Sequence, residues 1–202
     1  MIILKANKKN LKEVIKTAIQ LIKKGEVIIC PTDTVYIPAA DATNKKAVRK
    51  VFLIKKRPLK KPIPIFVKNL TMAKKIAKIN KKQEEFLKRV WPGKVTAILE
   101  RTPPSHRPKS KIKLYGVDKK TIGLRIPKYK LVNILLKKIN RPLVGTSANI
   151  SGKPASGNLK EVLRQFKGKR YQPDLIIDGG ILPGRPSVVF DLTEWPPKIL
   201  RP

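Results

Sequence analysis

Short apolar runs rich in β-branched residues, VIIC at 27–30, IPIFV at 63–67 and VTAILE at 95–100, alternate with segments whose apolar residues recur every three or four positions. That alternation leaves few architectures open. A run that is apolar at every position has both faces covered, and an amphipathic helix between two such runs can cover one of them. The expected fold class is therefore α/β, a twisted, partly parallel sheet flanked by helices, with function in the loops beyond the strand ends. Segment 10–25, NLKEVIKTAIQLIKKG, sets Leu11, Val14, Ile15, Ala18, Ile19 and Ile22 at helical spacing between an Asn10…Glu13 capping pattern and Gly25. Asn44 can cap a helix through KKAVRKVFLIKK, and further helices are expected near 70–79, 81–90, 129–139 and 158–166. Trp91-Pro92-Gly93 turns the chain, and strands are expected near 122–126, 143–146, 175–178, 187–191 and 198–200. No internal repeat or linker interrupts the pattern, so residues 1–202 are read as one domain.

Charge narrows the partners. The chain carries 47 Lys and Arg against 13 Asp and Glu, a net +34. Such a balance points to nucleic acid or polyphosphate, because clustered cations concentrate anions and release counterions on binding. The lysines are nevertheless spread over every helical segment, which also fits a solvated basic surface. No apolar run approaches the roughly 20 residues that a membrane span needs, and MIILKANKKN offers neither a signal peptide nor an anchor. A cytoplasmic protein with no membrane contact is expected. Cys30 ends an apolar run and is expected as a buried, inert thiol. The single histidine, His106, lies in TPPSHRPKSK; a His-based triad and a multi-histidine metal site are both excluded, and no metal ligands are assigned.

Four polar clusters sit at strand or helix ends. Thr32, Asp33 and Thr34 follow the first apolar run, where Pro-Thr-Asp-Thr is also an ordinary turn. Lys55 and Arg57 close a helix, a place the helix dipole already favours for cations. Arg125 falls inside the apolar pattern TIGLRIP and must either point outward or bind an anion. Thr146, Ser147, Asn149 and Ser151 crowd into GTSANISGKPAS, whose hydroxyls, amide and free backbone N–H groups can cradle phosphate or carboxylate. Walker-type glycine loops, G-x-G-x-x-G and G-x-S-x-G are all missing.

The ordered series PTDTVY, DATN, IKKRP, WPGKVT, LRIP, TSANISGKP, IIDGG, PSVVFDLT and PPKILR resembles the YrdC family, which makes threonylcarbamoyl-AMP for tRNA modification. The resemblance runs from about residue 10 to 201 and implies a twisted α/β sheet around a basic concave cavity. It implies a nucleotidyltransferase that joins L-threonine, bicarbonate and ATP, releasing pyrophosphate and water, with Mg²⁺ accompanying the ATP. Carried over by position, Lys55 and Arg57 would be catalytic, neutralising the phosphates and the developing charge. Thr34, Arg125, Ser147 and Ser187 would hold threonine, with Arg125 as the fork for its carboxylate. Arg57, Lys61, Thr121, Asn149 and Arg201 would contact ATP. The product would pass to a downstream threonylcarbamoyl transferase, and tRNA or double-stranded RNA is a further expected contact.

The sequence departs from that family around the substrates. Ile37-Pro38 stands where the family has Gly-Leu, Phe66 where many members have a histidine, Lys61 where many have asparagine, Gly157 where a hydroxyl is common, and Val188 where a threonine follows the serine. These departures keep a second reading open: a paralogue that uses the same basic cavity for RNA binding or tRNA or rRNA maturation, without the synthase reaction. Aromatic residues make up only 5% of the chain, which argues against recognition by base stacking.

Overall fold

The computed structural model describes residues 1–103 and 112–202, so His106 lies outside the described residues. Its elements run β1 (Ile2–Lys5), α1 (Leu11–Lys23), β2 (Ile28–Cys30), β3 (Ile37–Ala39), α2 (Lys45–Lys55), β4 (Ile65–Phe66), α3 (Leu70–Lys74) and α4 (Lys81–Val90). They continue with β5 (Val95–Glu100), β6 (Thr121–Arg125), α5 (Lys130–Ile139), β7 (Leu143–Val144), α6 (Leu159–Phe166), β8 (Leu175–Asp178), β9 (Val188–Asp191) and β10 (Lys198–Arg201). The strands form two mixed sheets, ordered β1-β8-β2-β3 and β10-β9-β5-β6-β4-β7. Parallel pairs are β1/β8, β2/β8, β4/β6 and β5/β9. The sheets join where the chain beyond β3 meets β7: Val144 N donates to Ala40 O at 2.9 Å and Ala42 N to Pro142 O at 3.0 Å.

Alternation within the apolar runs builds a core on each face of the first sheet. Ile28, Cys30, Leu175 and Ile177 pack with Val14, Ile15, Ala18 and Ile22 of α1 and Leu131, Leu135 and Leu136 of α5. Val27, Ile29 and Ile176 face the other way, into a core shared with Val48, Val51 and Phe52 of α2 and with Ala97, Leu99 and Leu124 of the second sheet. Cys30 is fully buried and its thiol is pushed up to about 12, the inert state expected of it.

Asn44 caps α2 by accepting from Ala47 N at 3.1 Å. The Asn10…Glu13 cap does not form: Asn10 makes no side-chain cap bond to α1, and its amide donates to Lys5 O at 2.8 Å while its carbonyl accepts from Asn7 N at 2.9 Å. The local turn takes the side chain before the helix can. The helix expected over 70–79 ends at Lys74, after which Ala77 bridges Arg101. Gly25 adopts φ +87° at the end of α1, a conformation that suits glycine.

Candidate functional site

Seven segments meet at one cavity of about 220 Å³. Thr34 and Val35 come from the β2–β3 loop and Ile37 opens β3; Arg57, Pro62 and Pro64 follow α2; Thr96 and Ile98 project from β5. Arg125 ends β6, Gly145, Thr146 and Ser147 follow β7, and Pro186, Ser187, Val189 and Arg201 close the wall from β9 and β10. Period-two alternation explains why Thr96 and Ile98 face the cavity while Ala97 and Leu99 enter the core.

The GTSANISGKPAS loop is fixed from three directions. Gly145 N donates to Pro64 O at 2.9 Å, Ala148 N to Tyr36 O at 2.7 Å, and Ser151 N to Lys55 O at 2.7 Å. Lys55, 2% exposed, then reaches into the loop: its ammonium donates to Ser147 O, to Asn149 O at 2.7 Å and to Asn149 Oδ1 at 3.3 Å. Asn149 Oδ1 also accepts from Ser147 Oγ at 2.5 Å. Burial, with the nearby Arg57 charge, pushes the Lys55 ammonium down to about 7.

Arg125 is 2% exposed, and the anion it binds is Asp33. Its Nη2 donates to Asp33 Oδ1 at 2.6 Å, Nη1 to Thr34 Oγ1 at 3.0 Å and Nε to Gly93 O at 2.9 Å. Three of its five N–H groups are thus engaged, and among the described residues the other two have no acceptor. Phe66 lies under the guanidinium, 5.5 Å from ring centroid to Cζ. Burial pulls the Arg125 pKa down, and the Asp33 carboxylate pushes it back up.

Phe66 also dictates residue 145. A Cβ at Gly145 would stand 2.1 Å from Phe66 Cδ1. Gly145→Ala is expected to lower stability by about 3 kcal/mol, and Phe66→Leu in the same chain to restore part of it, read from urea midpoints. Wild-type stability in the single variant would show that the ring is free to move.

On the opposite wall Ser187 Oγ and Thr96 Oγ1 lie 2.8 Å apart. Arg201 Nη2 donates to Ser187 O at 2.7 Å, and Arg57 donates from Nε to Lys61 O at 3.0 Å and from Nη2 to Pro62 O at 2.8 Å. The structure therefore brings Thr34, Arg57, Arg125, Ser147, Ser187 and Arg201 to one cavity. Lys55 and Asn149 stand behind the wall, holding Ser147. Thr121 lines an adjoining depression of about 70 Å³ that shares Pro62, Pro64 and Ile98 with the cavity. Lys61 is exposed, and its carbonyl accepts from Arg57.

Thr96 was not singled out from sequence, although its place in VTAILE assigns it the face opposite the core. It matters because of the departure at 188. Val188 pairs with Val95 and points away from the face that carries Ser187 and Val189, so the hydroxyl beside Ser187 comes from Thr96. Ile37 contributes an apolar surface to the cavity, and Pro38 is tolerated because β3 is an edge of its sheet. Gly157 is dictated by close approach, since a Cβ there would stand 2.5 Å from Leu182 O. Among the described residues no group of three or more His, Cys, Asp or Glu could hold a metal, and no helix is long and apolar enough to cross a membrane.

A family model named for Sua5, YciO and YrdC, described as "Telomere recombination", matches residues 20–202. The threonylcarbamoyl-AMP synthase of Pyrococcus abyssi is 36% identical over 190 residues, covering 93% of this chain and 53% of that protein. That of Bacillus subtilis is 30% identical with the same two coverages. The chain spans about half the length of these curated relatives. A solved structure of P. abyssi Sua5 complexed with L-threonine superposes with a TM-score of 0.83 at 34% identity, over 100% of this chain and 56% of that one. Escherichia coli YciO superposes with a TM-score of 0.80 at 25% identity, over 99% and 93%.

Proposed function

This chain belongs to the Sua5/YciO/YrdC family, and from that membership we propose that it joins L-threonine, bicarbonate and ATP into threonylcarbamoyl-AMP, pyrophosphate and water. The observation that carries the reading is the convergence of Thr34, Arg125, Ser147 and Ser187 with Arg57 and Arg201 on one cavity. The two free N–H groups of Arg125 take the threonine carboxylate. The hydroxyls of Thr34, Ser147 and Ser187 orient the amino acid, Ser187 being held by Thr96. Its amine captures bicarbonate as a carbamate, and the carbamate oxygen attacks the α-phosphorus of ATP, displacing pyrophosphate. Positioning and charge neutralisation supply the acceleration, with no covalent enzyme intermediate. Arg57 and Arg201 meet the negative charge of the phosphates, and the nucleoside extends over Pro62, Pro64 and Ile98 towards Thr121. Lys55 and Asn149 act through Ser147 as positioning residues. Lys61 contributes to ATP through the carbonyl that fixes Arg57.

Among the described residues no carboxylate lines the cavity, so Mg²⁺ would enter as part of MgATP rather than on a protein carboxylate site. The product is a reactive mixed anhydride destined for a downstream threonylcarbamoyl transferase, and tRNA contact rests on the net charge of +34. The test is a reaction with ¹³C-bicarbonate, threonine and ATP analysed by mass spectrometry: the label is expected in a covalent adduct of AMP and threonine. Labelled carbon found only in free bicarbonate while AMP accumulates would reject this chemistry.

A further inference from the structure

Outside the cavity, one side of α2, with Lys45, Arg49, Leu53 and Lys56 exposed and Val48 and Phe52 buried between them, borders a groove whose make-up differs from the lysine-covered surface around it. Lys45, Val48, Arg49, Phe52, Leu53 and Lys56 recur at helical spacing along that face, over about 16 Å of helix. Two hollows of about 330 and 370 Å³ run beside it and share Arg49, Phe52 and Leu59. Leu59 is 73% exposed, and Leu53 and Tyr171 are partly exposed. Among the described residues no carboxylate lines either hollow, whereas Lys45, Arg49, Lys56 and Arg57 do.

We propose that this groove docks an acidic amphipathic helix of a partner protein. Leu53 and Leu59, backed by the buried Val48 and Phe52, would take the helix's apolar stripe, and Lys45, Arg49 and Lys56 would take its carboxylates. Three turns of helix match the length of the face. The groove is poorly made for RNA. Phe52 is 4% exposed and presents no ring face, and the two tyrosines at the groove ends each carry a cation over one face, Lys113 at 5.7 Å from Tyr115 and Arg170 at 5.4 Å from Tyr171. Bases stack on open aromatic faces, and each of these two rings already has a cation over one of its faces. Arg57 lines both the groove and the cavity, so a docked partner sits beside the cavity wall. The inference stands on the groove alone and is independent of the chemistry in the cavity.

The probe is a fluorescent 18-residue peptide with Leu and Phe at i, i+3, i+4 and i+7 of a helix and Glu elsewhere, followed by anisotropy at about 0.15 M salt, where scattered surface charge is screened within about 8 Å. The comparators are a shuffled peptide of the same composition, which keeps the charge and loses the stripe, and a 20-nucleotide oligouridine. The striped peptide is expected to bind at least tenfold tighter than the shuffled one. Leu59→Asp is expected to lower that affinity tenfold or more, while Ile181→Asp, at a side chain 88% exposed elsewhere, leaves it unchanged. Both substitutions are at exposed positions, and circular dichroism checks that each variant folds. Equal binding of the two peptides, equal loss in the two variants, or oligouridine binding that is lost in Leu59→Asp while peptide binding persists would each overturn the proposal.

Discussion

Arg125→Ala is expected to lower stability by about 3–5 kcal/mol and to abolish detectable threonine binding, the largest effect of any single substitution at this site. The stability loss follows from burial. With the arginine side chain 3% exposed and Asp33 10% exposed, removing the guanidinium strands a carboxylate that, among the described residues, keeps only a 3.2 Å bond from Lys128 N. Thr34 Oγ1 loses its donor at the same time but keeps its 2.9 Å contact with Thr32 Oγ1. Asp33→Asn together with Arg125→Ala separates the two consequences. Removing both charges is expected to recover much of the stability in urea unfolding, whereas calorimetric titration still detects no threonine. Restored threonine binding in the double variant would mean that Arg125 serves only to neutralise Asp33.

Lys55→Met is expected to reduce turnover at least tenfold, about 1.4 kcal/mol in the barrier, in a folded protein. The methionine keeps the apolar stem and removes the donor to Ser147 O, Asn149 O and Asn149 Oδ1, so Ser147 Oγ is no longer held in place. The same substitution has a signature in pH. Burial lowers the folded ammonium from 10.5 to about 7, so between those values the unfolded chain binds a proton that the folded chain has released. This group's contribution to stability is therefore fully present above about 10.5 and lost as the pH falls towards about 7. Urea midpoints at pH 7.0 and 9.5 are expected to rise more steeply with pH in the wild type than in Lys55→Met. An identical slope in both proteins, with unchanged turnover, would show that the ammonium neither bears this burial nor positions the loop.

The parts of the fold legible in the sequence were those where one face or both faces of an element is committed to a core. VIIC is apolar because both sides are covered, VTAILE alternates because Ala97 and Leu99 enter the core while Thr96 and Ile98 face the cavity, and α1 and α5 repeat every three or four residues because one side is covered. β3 was hidden by Pro38, which weakens a strand reading although an edge strand accepts it, and β1 by the brevity of its apolar run. The division into two sheets depends on pairings such as β5 with β9, between segments far apart in the chain, which no local pattern announces. At the site, the resemblance marked residues that converge, yet it could not tell wall from support. Lys55 and Arg57 are one residue apart in sequence, but a helix ending at Lys55 and a left-handed Lys56 send one side chain into the loop and leave the other on the cavity. The partner of Arg125 was likewise open: outward orientation or anion binding were equal readings until Asp33, 92 positions away, supplied the anion.

The central claim, that this cavity couples threonine and bicarbonate to ATP, is tested most directly by pyrophosphate release. ATP alone, ATP with threonine and ATP with bicarbonate are expected to give only background release, and all three together to give sustained turnover that Arg57→Ala cuts at least tenfold, about 1.4 kcal/mol in the barrier. Release that is indifferent to threonine, or absent under every combination from a folded protein, would contradict the synthase reading and leave a member of this family whose cavity serves another ligand.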